Sequence, residues 1–130
     1  MTRVLALVPD LLFGSRVQGS LAAAGQQVEL IGDEARLRER LADGAAPHAE
    51  VLVVDLTVED LDGAGIVESL RRGGGLTGTR TLAFYSHVDV AARERAERAG
   101  FDLVVPRSRM AREGALLVAG LAAATRPPRG

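Results

Sequence analysis

The sequence predicts an α/β fold, a single doubly wound sheet of five parallel strands with helices on both faces, and three observations carry that expectation. Five short apolar runs alternate with five stretches of helical periodicity. The central run, Val51-Leu52-Val53-Val54, holds no charge, as suits a strand covered on both faces. The helical stretches carry start and stop signals, an Asp before most of them and a Gly after several. Each strand-helix-strand crossover is expected to be right-handed.

Val4 to Val8 is the first strand, closed by Pro9-Asp10. A helix from Leu12 to Ala24 follows, ended by Gly25 in the position that favours a left-handed residue. Gln27 to Ile31 alternates enough to lie nearer a sheet edge. Asp33 caps a helix through Leu37 and Leu41 whose Arg and Glu residues face water, and 44–50 reads as a loop. After the central strand, Asp62-Gly63 starts a helix to Arg72 with Ile66, Val67 and Leu70 inward. Gly73 to Thr79 is rich in glycine, but it lacks the Lys of a phosphate-cradling loop and precedes a strand, so it reads as a connector. Thr81 to Tyr85 is the fourth strand. Asp89 caps a helix in which Ala92, Ala96 and Ala99 share a stripe, and Gly100 ends it. Phe101 to Val105 is the fifth strand and Met110 to Ala124 the last helix. Residues 1–124 are thus expected to form one domain, with 125–130 a frayed tail.

Composition narrows the function. At 130 residues, 47% hydrophobic and 25% charged, the chain suits one globular domain with a core of its own. A net charge of -1 supplies no field to attract nucleic acid or an anionic membrane, so neither is an expected partner. The absence of cysteine removes disulfides, thiolate metal sites and Cys nucleophiles. No apolar run approaches the roughly 20 residues that span a bilayer, and the start lacks a signal peptide, so a cytoplasmic protein is expected.

Asp55 is the residue around which the chemistry is expected to gather. It is the first charge after the central strand, and in open α/β sheets ligands bind beyond the carboxyl ends of the strands. The bland alternative is that Asp55 only caps the turn that follows. With the strand ends placed, the chain over residues 3–124 resembles the receiver domain of response regulators. Asp55 ends the third strand, Asp62-Gly63 follows at the spacing receivers favour, and Gly100 precedes a cationic residue, Arg107, after the fifth strand. The resemblance implies a flavodoxin-like (βα)5 fold with strand order 2-1-3-4-5, and a phosphoacceptor role for Asp55. It also implies a pocket of Asp10, Thr57, Tyr85, Ser86, His87, Arg107 and Ser108. In receivers two acids after the first strand hold Mg²⁺, a Lys contacts the phosphoryl oxygens, and a Thr or Ser after strand four reports the phosphoryl group.

This sequence departs from that pattern. Val8 and Pro9 stand at the acidic pair, with Asp10 one residue late; Arg107 replaces the Lys, with Pro106 before it and Ser108 after it; Tyr85 takes the hydroxyl position and Glu59 the usual Pro. Asp10 and Asp55, with the Thr57 carbonyl, would make a poor Mg²⁺ site. The favoured expectation is instead that Arg107 pairs directly with Asp55 and replaces the metal, so that no cofactor is needed. His87 reads as a solvated loop residue with no second ligand at metal spacing.

The last helix carries no charge between Gly114 and Ala124, which suggests burial on both sides and a homodimer or docking contact there. The function expected is a stand-alone, non-enzymatic pseudo-receiver that acts through protein partners without phosphorylation. The alternative is a working phosphoacceptor served by a sensor kinase. A small phosphatase with Asp55 as nucleophile is disfavoured because Thr57 stands where the haloacid-dehalogenase motif has its second Asp. A flavin binder is disfavoured by the missing phosphate loop and by only three Phe and one Tyr.

Overall fold

The computed structural model describes residues 2–42 and 48–125. Ten elements alternate: β1 (Arg3–Leu7), α1 (Leu11–Ala23), β2 (Gln27–Ile31), α2 (Glu34–Leu41), β3 (Val51–Asp55), α3 (Gly63–Arg72), β4 (Arg80–Tyr85), α4 (Val90–Ala99), β5 (Leu103–Pro106) and α5 (Arg107–Thr125). The strands form one parallel sheet in the order β2-β1-β3-β4-β5, as expected. Gln27–Ile31 is indeed an edge strand, with β5 at the other edge. Of the expected 125–130 tail, Thr125 ends α5 instead, and residues 126–130 lie outside the described residues, as does most of the 44–50 loop.

Alternation along the strands divides the interior into two cores, one on each face of the sheet. Leu5, Leu7, Leu52, Val54 and Ala83 pack with Leu37, Ile66, Val67, Leu70, Ala96 and Ala99, from α2, α3 and α4. On the opposite face Val4, Ala6, Val51, Val53, Leu82 and Phe84 meet Phe13, Val17 and Leu21 of α1 and Met110, Val118 and Ala122 of α5. All five β3 residues are buried, Asp55 included, which is why the run tolerates no charge until its last position.

Local signals set the helix bounds. Asp10, Asp33, Asp62 and Asp89 each accept backbone N–H bonds at the starts of α1 to α4. Gly100 closes α4 at φ 92°, a conformation that costs a residue with a Cβ but not glycine. Gly63 answers a different need: a Cβ there would sit 2.6 Å from Val54 Cγ1 and 2.9 Å from Leu56 Cδ2, so the start of α3 can approach β3 only without one. The connector 73–79 is a run of turns anchored by the buried Leu76.

Two bounds differ from expectation by more than one residue. β5 begins at Leu103 rather than Phe101, because Asp102 turns inward to accept from the Thr81 N–H at 2.8 Å and its hydroxyl at 3.2 Å. α5 starts at Arg107, directly after β5, rather than at Met110. Its first turn is the polar Arg-Ser-Arg, which shows no apolar periodicity, and Pro106 offers no side-chain acceptor to mark the start.

Candidate functional site

The carboxyl ends of β1, β3, β4 and β5 converge on one rim of the sheet, and Asp55 stands at its centre. The residue is 1% exposed. Oδ1 accepts the Thr57 backbone N–H at 2.7 Å and the Thr57 hydroxyl at 2.6 Å. These two bonds lock the turn leaving β3. The turn-capping reading of Asp55 is therefore part of what the residue does.

Arg107 does not pair with Asp55, contrary to the sequence expectation. Its Nη2 lies 3.5 Å from Asp10 Oδ2, and its guanidinium carbon sits 4.1 Å over the centroid of the Phe13 ring. Phe13 stacks in turn on Phe84 at 5.1 Å between centroids, and Phe84 is the register partner of Asp55. The physical reason is solvation. Arg107 and Asp10 keep 45% and 42% of their side chains in water, whereas joining Asp55 would strip the guanidinium of solvent for a carboxylate that Thr57 already serves. Asp10 has a second task, since its Oδ1 accepts from the N–H groups of Leu12 and Phe13 at 3.0 and 3.1 Å.

An open cavity of about 710 Å³ lies over this rim. Of the pocket residues expected from sequence, Asp10, Thr57, Ser86, His87, Arg107 and Ser108 line it, and Asp55 does not. Tyr85 does not line it either. Strand alternation puts Tyr85 on the same face as Ala83, under α4, while Phe84 takes the opposite face toward α1 and α5. There the phenol approaches Arg93, whose guanidinium is held above its usual range first by the hydrogen bond to Glu97 and then by Tyr85. The sequence reading missed Arg16, which also lines the cavity. Its signal was the spacing from Phe13, three residues along one face of α1.

The residues present do not fit Mg²⁺. That ion requires oxygen ligands in near-octahedral array, normally from carboxylates, carbonyls and water. Val8 is a buried apolar side chain, Pro9 has no donor, Asp10 is shared between a helix cap and Arg107, and Oδ1 of Asp55 is taken by Thr57. Among the described residues no three His, Cys, Asp or Glu side chains gather at metal-binding distance.

A five-stranded 2-1-3-4-5 parallel sheet with an acid at the tip of its central strand is the fold of the receiver domain. The receiver domain of the Francisella response regulator 1452 is similar at a TM-score of 0.82 and 16% identity, over 97% of this chain and 100% of that one. The receiver domain of TorR, a response regulator of a TMAO respiratory system, gives 0.83 and 17% over 97% and 100%. The signal receiver domain of NarL from Mycobacterium tuberculosis gives 0.74 and 22% over 94% and 96%. No protein-family model and no curated protein matches the sequence. Among the described residues no helix is long and apolar enough to cross a membrane.

Proposed function

We propose that the chain is an atypical receiver module of two-component signalling, non-enzymatic and cytoplasmic, which acts by binding protein partners without phosphorylation of Asp55. The observation that carries this is the state of the acid itself. Asp55 is buried and tied to Thr57, the rim cation serves Asp10, and β1 ends in Val8-Pro9 where a metal would need carboxylates. Phosphoryl transfer to a carboxylate gathers negative charge on donor and acceptor together, and positioned cations must neutralise it. Here the metal ligands are lacking and the nucleophile is withdrawn from the surface.

Intact mass after incubation with Mg²⁺ and a small phosphodonor such as acetyl phosphate tests the proposal. The expected result is an unchanged mass for the native chain and for Asp55→Ala alike. A gain of one phosphoryl group that Asp55→Ala abolishes would select the working phosphoacceptor instead, with a sensor kinase as its partner.

The outer face of α5 supports a self-association surface. Leu116 is 74% exposed there, flanked by the exposed small residues Ala119, Gly120 and Ala123. The inner face of the same helix, Met110, Gly114, Val118 and Ala122, is spent on the domain's own core. Part of this helix is therefore apolar for reasons internal to the fold, and only the outer strip around Leu116 is left for a second copy.

A further inference from the structure

The rim cavity gathers donors that the protein does not use. Arg16 and Arg107 both line it, and among the described residues neither side chain donates a hydrogen bond. Their sole ion pair is the 3.5 Å approach of Arg107 to Asp10. The Arg107 guanidinium carbon sits 4.1 Å over the Phe13 ring, and its N–H groups make no described hydrogen bond there. Ser86 and Ser108 open onto the same space, with hydroxyls that make no described side-chain hydrogen bond.

We infer that this cavity holds a phosphomonoester non-covalently, its oxyanion between Arg16 and Arg107 and its organic part against Phe13 and Val58. The inference rests on the reading that Asp55 is not itself phosphorylated. The ligand is then a separate molecule, no bond to the protein forms, and the two guanidinium groups supply the neutralisation for which a metal has no ligands. A planar fork of N–H donors matches a phosphate oxygen pair bidentately, and hydroxyls complete the shell. The apolar side chains of Phe13 and Val58 line the same space as the donors, which favours an ester over the free ion. Two negative charges oppose the ligand. Asp10 is partly neutralised by Arg107, and Asp55 lies beneath the surface, where its Oδ1 accepts from Thr57.

Isothermal titration of the full chain with phenyl phosphate and, separately, with inorganic phosphate, in EDTA at low salt, tests the inference. Phenyl phosphate is expected to bind saturably and more tightly than inorganic phosphate. Arg16→Gln and Arg107→Gln should each weaken it by about tenfold or more, the loss typical of a hydrogen bond to a charged group. Asp55→Asn should tighten it. No saturable binding of either probe up to about 10 mM, or affinities in both arginine variants within about twofold of the native chain, overturns the inference; inorganic phosphate binding as tightly as the ester overturns the ester assignment. Arg16 is exposed and makes no described hydrogen bond or ion pair, so its variant keeps the test valid should Arg107→Gln fold poorly. Because the titration excludes metal, arginine-dependent binding would stand even if Asp55 gained a phosphoryl group in the mass experiment, and a silent titration would leave the proposed function intact.

Discussion

Replacing Arg107 by alanine tests which group the rim arginine serves. The guanidinium lies 4.1 Å from the Phe13 centroid and 3.5 Å from Asp10 Oδ2. A cation over a ring contributes about 0.5–1 kcal/mol at a site this wet. The ion pair, whose partners stay 45% and 42% exposed, adds about 0.5 kcal/mol before salt screens it. The sum, about 1–1.5 kcal/mol, should lower Tm by about 3–6 °C in a domain of this size. Two double-mutant cycles separate the parts. Asp10→Asn keeps an acceptor for the α1 cap while removing the charge, and Phe13→Leu removes the ring. Thermal and urea unfolding followed by circular dichroism should give Arg107 a coupling of about 0.5 kcal/mol to Asp10, lost in 1 M salt. The coupling to Phe13 should be about 0.5–1 kcal/mol. A coupling above about 1 kcal/mol between Arg107 and Asp55→Asn, with none to Asp10, would refute the geometry described above.

Thr57→Val removes the hydroxyl that donates to Asp55 at 2.6 Å and should destabilise the fold by about 1.5–3 kcal/mol, with Thr57→Ser restoring most of it. Equal urea midpoints for Thr57→Val and the native chain would show that the carboxylate does not depend on that donor. Light scattering over a range of concentrations should show the native chain moving from monomer to dimer, and Leu116→Glu remaining monomeric, since the charge would fall in the centre of the apolar strip on α5. A native chain that is monomeric throughout, or a variant that dimerises equally well, excludes that face.

The fold was legible because each level of the sequence pointed the same way. Short apolar runs, Asp before four helices and Gly after α4 all concern neighbours in the chain, and local physics fixes them. The β3 tip was legible for the same reason, since the first charge after a buried run must lie at the edge of the core. What the sequence concealed was tertiary. Arg107 had two acids within reach, and only the folded chain reveals that Thr57 satisfies one and that Phe13 offers a ring beside the other. Tyr85 was misplaced by one step of strand alternation, because spacing along β4 identifies a position without saying which face it takes. Arg16 was overlooked because its one local signal, the three-residue spacing from Phe13, gains meaning only from Arg107, which α5 brings across from the far end of the chain.

The joint between the last strand and the last helix has a mechanical consequence. Pro106 belongs to β5 and Arg107 to α5, so no intervening residue absorbs a change of backbone direction. Proline fixes its own φ and restricts Val105 before it, which stiffens the junction further. A displacement of Arg107 is therefore passed to a rod of 19 residues, about 28 Å long at 1.5 Å per residue, with Leu116 halfway along it. Whatever grips the near end of that rod acts on the far face without a hinge between them.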